Sequence, residues 1–233
     1  MHKLALVGYG KMGKMIDPLG AEYGLETALR LDEYNNENGC GLTAENFQGI
    51  DIAIEFSTPS TVVDNIRRLV KLGVPVVVGT TGWAEHLDKV GKLVEDAGCG
   101  LVWSPNFSIG VNVFARLVSE AARLMAAEPA YGAWAWEIHH STKKDAPSGT
   151  LHMLVEQMKA AGYARAIDAA SSRAGAHPGT HEIGFDSSAD TITLRHSARS
   201  REGFARGALK AAQWLVKKRT GFYEFRDILF LDV

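Results

Sequence analysis

The residues most suited to chemistry lie in the polar run 137–150. Two adjacent histidines, His139 and His140, stand at the end of a predicted strand, and Lys143 and Lys144 follow them. Repulsion among these cationic groups is expected to lower the histidine pKa values and to leave proton donors near neutrality. The run therefore predicts a proton-transfer site.

The same run leads into a predicted helix whose apolar face carries Leu151, Leu154, Val155 and Met158. The first amides of that helix, at Ser148–Thr150, point outward and suit a carboxylate. Ser148 as a nucleophile is a weaker interpretation, because the G-x-S-x-G elbow is missing.

A metal site is a further interpretation of Glu137 and the two histidines. Neighbouring strand residues point to opposite faces, and neither an H-x-x-x-H pair nor a cysteine partner lies nearby. We therefore predict no metal.

A second motif is G-x-G-x-x-G at residues 8–13, placed between a predicted strand and a predicted helix. Gly8, Gly10 and Gly13 permit a tight turn and close approach to a pyrophosphate, with Lys11 and Met12 between them. A glycine turn that merely packs a strand on a helix is the alternative. The βαβ context favours a dinucleotide.

Polar residues at the ends of other strands are candidates for the rest of the cofactor site. Asp32 follows the second strand, where a carboxylate can bind an adenosine ribose. Lys11 and Arg30 are close enough in sequence to bind a 2′-phosphate instead, or all three are solvated charges. NADH and NADPH both remain open.

Two further loops follow buried strands, at the sheet edge where ligands bind in open α/β sheets. Gly79, Thr80, Thr81 and Gly82 predict a nicotinamide or substrate contact, with a simple capped turn as the alternative. Ser104, Pro105, Asn106 and Phe107 occupy an equivalent place, although Asn106 also suits the N-cap of the next helix.

The elements that position these residues change character near Pro105. Before it, short apolar runs alternate with helical patterns, which is typical of a parallel α/β sheet. After a long helix over 111–127, strands alternate, with Trp134 and Trp136 on one face and Glu137 and His139 on the other. The predicted strands are 4–7, 25–31, 50–56, 74–78 and 100–103, then one around 134–139 and two later ones.

Composition limits the possible partners. The 233 residues carry 25 basic and 27 acidic side chains and a net charge of −2, which gives no electrostatic case for nucleic acid. No apolar run reaches the roughly 20 residues that span a bilayer. Cys40 and Cys99 are far apart, as in a reduced, cytoplasmic protein.

Taken together, these motifs resemble the 4-hydroxy-tetrahydrodipicolinate (dihydrodipicolinate) reductase family. The resemblance rests on six motifs that cover nearly the whole chain. They are Gly8-x-Gly-x-Met-Gly13, Gly79-Thr-Thr-Gly82, Pro105-Asn-Phe-Ser-x-Gly110, Glu137-x-His-His-x-x-Lys-x-Asp-Ala-Pro-Ser-Gly-Thr150, Pro178-Gly-Thr-His-x-Ile-Gly184 and Arg201-x-x-Phe-Ala-x-Gly-Ala208.

The resemblance implies an α/β Rossmann-type parallel-sheet domain over 1–106 and 204–233. It also implies an inserted α+β substrate-binding and oligomerisation domain with an open mixed sheet over 107–203. The expected assembly is a cytoplasmic homotetramer. The expected reaction is NAD(P)H-dependent reduction of a small dicarboxylate, 4-hydroxy-tetrahydrodipicolinate, in the diaminopimelate route to lysine.

The family's residue roles transfer by motif. His139 and Lys143 match proton donors, and His140, Ser148, Gly149 and Thr150 match substrate contacts, with Thr81 a further candidate. The matching cofactor residues are Gly8, Gly10, Lys11, Met12, Gly13, Asp32, Gly79, Thr80, Thr81, Ser104, Pro105, Asn106 and Phe107.

Two alternatives remain, and only the second belongs to a different functional class. One is another NAD(P)-dependent dehydrogenase of this architecture; a semialdehyde dehydrogenase would need a reactive cysteine, and neither Cys40 nor Cys99 lies in a suitable loop. The other is a non-catalytic NAD-sensing module, which would not need the donors at His139 and Lys143.

Overall fold

The chain folds into two compact units. The computed structural model describes residues 1–218 and 220–231. One unit comprises Met1–Ile109 with Glu202–Val233, and the other comprises Gly110–Arg201. Arg219, Asp232 and Val233, which the predicted segment 204–233 includes, lie outside the described residues. The functions predicted for the two parts remain predictions.

The elements follow the predicted order with a few additions. The strands are β1 (His2–Val7), β2 (Leu25–Leu31), β3 (Ile52–Glu55), β4 (Val76–Val78), β5 (Gly100–Trp103), β6 (Gly132–His139), β7 (Ile167–Arg173), β8 (Thr180–Asp186), β9 (Thr191–Ser197) and β10 (Gly221–Glu224). The helices are α1 (Lys11–Ile16), α2 (Val62–Lys71), α3 (Leu87–Asp96), α4 (Ile109–Ala126), α5 (Gly149–Ala160), α6 (Glu202–Lys218) and α7 (Phe225–Leu229). Sequence patterns had not indicated β7, β10 or α7.

The first unit is built on a six-stranded parallel sheet in the order β10-β5-β4-β3-β1-β2. Its strands are apolar at successive positions because both faces are covered. Leu4, Leu6 and Ile54 pack in one core with α6, whereas Ala5 and Val7 pack on the opposite face with α2 and α3. The sheet therefore forms the middle layer of three.

The second unit contains a four-stranded mixed sheet in the order β7-β6-β8-β9, in which β6 and β7 are parallel. The predicted alternation along β6 is confirmed: Ala135, Glu137 and His139 are buried, whereas Trp134 and Trp136 are half-buried on the other face. The buried face packs against α4 and α5. The predicted fold class, a Rossmann-type parallel sheet plus an α+β unit with a mixed sheet, is confirmed.

A glycine allows α6 to pack against the chain just before α4. A Cβ added at Gly207 would lie 1.7 Å from the carbonyl oxygen of Phe107, so the helix has to move before it can carry a side chain there. The neighbouring helix residues Ala205, Ala208 and Ala211 are fully buried.

We expect Gly207→Ala to lower the free energy of unfolding by about 1–3 kcal/mol, the usual cost of overpacking. Gly203→Ala is the matched control on the same helix, because its added Cβ would make only an ordinary 3.5 Å contact with Ser108 Oγ. Urea unfolding followed by circular dichroism compares the two variants. Equal midpoints would show that α6 is not held as closely as the structure indicates.

Among the helices of the described residues, we find none with the length and apolar character needed to cross a bilayer.

Candidate active site

The glycine motif of the first unit forms an open, tightly turned loop. Gly8 has φ +97°, and a Cβ there would lie 2.2 Å from the Phe56 carbonyl oxygen. A Cβ at Gly13 would lie 2.7 Å from the Gly8 carbonyl oxygen, whereas a Cβ at Gly10 would meet nothing within 4 Å. The loop thus needs glycine at its first and third positions for packing and leaves its middle open, which fits a ligand that approaches the backbone.

A cavity next to this loop reaches the end of β2. Its charged lining residues are Lys14, Asp32, Glu33, Glu37, Asp64 and Arg68. The Asp32 carboxylate lies at its edge and accepts hydrogen bonds from the amides of Tyr34 (2.9 Å) and Asn35 (3.2 Å), which fix the turn after β2. The predicted ribose acid therefore lines the same cavity as Gly8 and Gly10.

Arg30, one of two candidates for a 2′-phosphate, is committed to another partner. Its Nε and Nη2 donate to the two carboxylate oxygens of Asp17 at 2.7 and 2.9 Å. The Arg30 guanidinium, together with the Tyr9 hydroxyl, holds the pKa of the Asp17 carboxyl at about 2 against the opposing effect of burial. Lys11, the other candidate, is exposed.

The loop after β4 is held by a hydrogen bond to the buried carboxyl group of Glu55. Thr80 Oγ1 donates to Glu55 Oε2 at 2.6 Å, so this side chain points into the protein, while Thr81 is exposed. Glu55 also accepts from Asn65 Nδ2 (3.1 Å) and from Ser57, and burial raises its pKa. Of the predicted Gly79–Thr81 contacts, only Thr81 presents its side chain outward.

In the loop after β5, residues 104–107, most side chains are likewise bound within the protein. Ser104 Oγ donates to the carbonyl of Asn106 at 2.9 Å, and Asn106 Oδ1 accepts the Ser108 amide at 2.9 Å just before α4. Phe107 is buried against Phe225, with ring centroids 4.9 Å apart. Its side chain therefore packs in the core, and the Asn106 side chain holds the turn that precedes α4.

In the second unit, the buried carboxylate of Glu137 is the centre of a polar cluster. Its Oε1 accepts from the Ser148 amide (2.8 Å), Ser171 Oγ (2.9 Å) and Arg173 Nη2 (2.9 Å). Its Oε2 accepts from the Ser148 hydroxyl. Burial raises the pKa of this carboxyl, but the hydrogen bonds from Ser148 and Arg173 outweigh it and hold the value at about 2.

Two imidazoles face this carboxylate. His139 Nδ1 lies 3.5 Å and His181 Nε2 lies 3.4 Å from Glu137 Oε2, and the two rings meet edge to face with centroids 5.1 Å apart. The pKa of His139 is lowered, as the sequence predicted, but its main cause is burial rather than repulsion. Glu137 opposes the shift, and Lys143 and Arg173 add to it.

The loop after β6 holds a carboxylate of its own. Lys143 Nζ donates to both oxygens of Asp145 at 2.7 and 2.8 Å. Lys143 lowers the pKa of Asp145, and the Gly149 amide contributes a smaller lowering. His140 Nδ1 lies 2.7 Å from Thr142 Oγ1 at the rim of the same loop.

Ser148 is turned inward at the start of α5. It is buried, its amide and hydroxyl both donate to Glu137, and its Oγ caps the helix by accepting from the Leu151 amide at 3.2 Å. Gly149 is exposed and Thr150 is half-exposed. Of the three residues predicted to contact a carboxylate, Gly149 and Thr150 are therefore accessible. Ser148 is buried and fixes the start of the helix that carries them.

Glu137, His139 and His181 also offer three metal-ligand atoms within 4.8 Å of one another. The donor set favours hydrogen bonding over a metal, because an Arg173 guanidinium and the Ser148 hydroxyl already bind the same carboxylate. A cation there would also lie close to a fixed positive charge.

Comparison with known proteins accounts for both units. Residues 2–107 match the family model described as "Dihydrodipicolinate reductase, N-terminus", and residues 110–229 match "Dihydrodipicolinate reductase, C-terminus". The chain belongs to the dihydrodipicolinate reductase family. Membership of this oxidoreductase family removes the support for the two alternatives, a different dehydrogenase and an NAD-sensing module.

Relatives of the reductase family match over nearly their whole length. A 4-hydroxy-tetrahydrodipicolinate reductase from Christiangramia forsetii is 36% identical, and one from Thermosipho africanus is 34% identical; each alignment covers 97% of both chains. A dipicolinate-bound dihydrodipicolinate reductase from Paenisporosarcina sp. TG-14 has the same fold, with a TM-score of 0.82 and 22% identity over 98% of this chain and 99% of that one.

Sequence reasoning missed three members of the reductase's polar cluster: His181, Arg173 and Ser171. His181 was visible in the motif that begins at Pro178, two residues after Gly179, whose backbone has φ +143°. Ser171 and Arg173 lie on β7, where a stretch rich in alanine and serine gave no strand signal. Glu137 begins the motif at residues 137–150, but its role depends on partners that the sequence does not place beside it.

Proposed function

We propose that the chain reduces 4-hydroxy-tetrahydrodipicolinate to tetrahydrodipicolinate with NADH or NADPH and loss of water, as a step of diaminopimelate and lysine biosynthesis. The observation that carries this proposal is the match of both family regions across the chain, with relatives of that name aligned end to end. The second unit supports it, because its ammonium group at Lys143, which pairs with a carboxylate, and its buried imidazole at His139 occur in the same motif.

The carboxylate site is proposed from Lys143, Gly149 and Thr150, with His140 at its rim. The Asp145 carboxylate is already held by Lys143 Nζ and influenced by the Gly149 amide, so these donors suit a carboxylate of the substrate. An anion here is also near the start of the twelve-residue helix α5, where its charge is favourable. These contacts would fix the substrate ring before reaction.

His139 and Lys143 are the proposed proton donors. When bound, the nicotinamide supplies the hydride. Hydride addition to a conjugated imine leaves negative charge at the ring nitrogen, so a donor must deliver a proton there. The lowered pKa of His139 means that this imidazole releases a proton readily once it is charged.

The glycine loop and the cavity beside it are the proposed cofactor site. Gly8, Gly10 and Gly13 leave the backbone open to a pyrophosphate, with Lys11 and Met12 in the same turn, and Asp32 lies where it can bind the adenosine ribose. Gly79 to Thr81 and Ser104 to Phe107 are the proposed nicotinamide end, with outward contacts from Thr81 and the backbone; Thr81 is also a candidate substrate contact.

We propose that NADH is preferred. Four of the charged residues that line the cavity are acidic (Asp32, Glu33, Glu37 and Asp64) and two are basic (Lys14 and Arg68), so a 2′-phosphate there would face an excess of negative charge. Arg30 does not line the cavity and is held by Asp17. Arg68 is bound to the carbonyls of Asn38 and Gly39 at 3.0 and 3.1 Å. Like charges in contact cost enough to discriminate strongly between two ligands.

We expect kcat/KM with NADH to exceed that with NADPH by at least about tenfold, which corresponds to about 1.4 kcal/mol. Asp32→Asn should bring the NADH and NADPH values closer together, because it removes one of the negative charges that line the cavity. Glu26→Gln, an exposed change on β2 outside the cavity, should leave the ratio unchanged. A wild-type preference for NADPH would contradict the proposal.

The assay of the reaction itself follows NADH or NADPH oxidation at 340 nm with enzymatically generated 4-hydroxy-tetrahydrodipicolinate. Oxidation that requires this substrate supports the proposed function. If neither cofactor is oxidised by folded protein, the proposed function is wrong.

Oligomeric state and location complete the proposal. The half-buried Trp134, Trp136 and Ile138 side chains lie along one face of β6, opposite the buried face of the sheet. Such a face suits burial against other copies of the chain, and we propose a homotetramer. Two free cysteines, Cys40 and Cys99, fit the proposed cytoplasmic location.

A further inference from the structure

The Glu137 carboxylate, which can only accept hydrogen bonds, faces the imidazole of His139. His139 Nδ1 is fully buried, has no hydrogen-bond partner of its own and lies 3.5 Å from Glu137 Oε2. A carboxylate can only accept, so the favourable state at this position is an Nδ1 that carries the hydrogen. The same carboxylate is anchored by four hydrogen bonds from Ser148, Ser171 and Arg173 and cannot easily turn away.

We propose that Glu137 is a positioning residue that holds His139 as the Nδ1–H tautomer, so that Nε2 is the nitrogen that takes up and delivers the proton. This inference rests on the proposed function, in which His139 is a proton donor. Carboxylates orient histidines in this way at other sites, by fixing one ring nitrogen and leaving the second for the reaction.

The other side of the His139 ring is open enough for this role. The side chain keeps 10% of its exposure although Nδ1 is buried, so the exposed part lies elsewhere on the ring. A Cβ at Gly179 would lie 2.9 Å from Nε2. Glycine at that position therefore leaves space at the nitrogen to which we assign the proton.

His181 is the proposed second positioning residue. Its Nε2 lies 3.2 Å from Ser148 Oγ and 3.4 Å from Glu137 Oε2, and its ring packs edge to face on His139. Burial lowers the pKa of His181 to about 4, so it is uncharged at neutral pH. A neutral neighbour allows His139 to become charged without direct repulsion from the ring that supports it.

The charges that face His139 come from every element around it. Glu137 on β6 and Asp145 in the following loop favour the protonated imidazole, while Lys143 in that loop and Arg173 on β7 disfavour it. His181 on β8 is uncharged at neutral pH, and His196 on β9 faces His181. Because Glu137 is the larger of the two favourable charges, its removal should make His139 harder to protonate.

The test is Glu137→Gln, which keeps the size of the side chain. We expect the basic limb of the kcat/KM pH profile, where the proton donor is lost, to move to lower pH by about one unit or more. The His139 imidazole, followed by NMR without substrate, should titrate lower by a similar amount. Glu137→Asp keeps the charge and should return both values toward the wild type, which loss of packing alone would not do.

The matched control is Glu156→Gln, which removes the same charge from the exposed surface of α5. This variant should leave the basic limb of the kcat/KM pH profile and the His139 titration unchanged. A folded Glu137→Gln protein with wild-type values would overturn the proposal. Activity that is lost to a chelator and restored by Zn²⁺ would also overturn it, by making the three side chains metal ligands.

The two readouts separate this inference from the function on which it rests. If the wild type does not act on 4-hydroxy-tetrahydrodipicolinate, the proposed function fails, and the NMR titration still decides whether Glu137 controls His139. If the wild type is active but His139 titrates at the same pH in the wild type and in Glu137→Gln, only the positioning role of Glu137 is wrong.

Discussion

His139→Gln is expected to lower kcat by about 10²–10⁴-fold, the usual contribution of a positioned general acid. Glutamine fills much of the space beside Glu137 and His181 but cannot gain and release a proton near neutral pH. The effect should fall on kcat more than on KM, because His139 lies deeper than the carboxylate donors Lys143 and Gly149. Steady-state rates at saturating substrate and NADH measure it.

Lys143→Ala should lower kcat by a comparable factor and raise KM as well, since this ammonium group is proposed both to donate a proton and to bind a carboxylate. Lys144→Ala is the matched control: it removes the same charge from the next residue, which is exposed. If His139→Gln and Lys143→Ala both kept near wild-type turnover, the assignment of the proton donors would be wrong.

Acid should weaken the second unit through Glu137. The pKa of its carboxyl is about 2 in the folded protein against an ordinary value of 4.5. A lowered pKa means that the ionised group stabilises the fold above pH 4.5, and that this stabilisation is lost as the pH falls toward 2. The full difference corresponds to about 3 kcal/mol for this side chain, which has no solvent exposure.

Urea unfolding between pH 7 and pH 2.5 tests this expectation. The wild type should lose more of its free energy of unfolding over this range than Glu137→Gln, by an amount that approaches about 3 kcal/mol. The glutamine has no proton to gain there, so other carboxyls contribute equally to both proteins and cancel. Parallel curves for the two proteins would show that the Glu137 carboxylate is not held as the structure indicates.

Much of the first unit could be predicted because its signals are local. Val76 to Val78 and Leu101 to Trp103 are short apolar runs between helical patterns, and such runs identify strands that are buried on both faces. The glycine motif could likewise be placed from its spacing between a strand and a helix, although the contact that requires Gly8, with the Phe56 carbonyl oxygen, comes from far along the chain. By contrast, β10 lies at the sheet edge, is half-buried throughout and carries no apolar run.

The polar cluster of the second unit could be predicted only in part. His139 and Lys143 stand close together in one motif, so their chemistry was visible in the sequence. Arg173 and His181 reach Glu137 from β7 and β8, more than thirty residues away, and only the pairing of β6 with both strands brings them together. Ser148 likewise points inward because it donates to Glu137. The spacing between Ser148 and the histidines does not reveal this contact.

The way α6 covers the first sheet bears on how the protein is made. This helix follows the whole second unit in the chain, yet Ala208, Leu209 and Leu215 pack directly on Leu6 and Ile54. A ribosome adds about 5–20 residues per second, so strands β1 to β5 wait on the order of ten seconds for the helix that shields them. During that interval one apolar face of the nascent sheet lacks its cover, and we expect it to be the main point of contact for chaperones during synthesis.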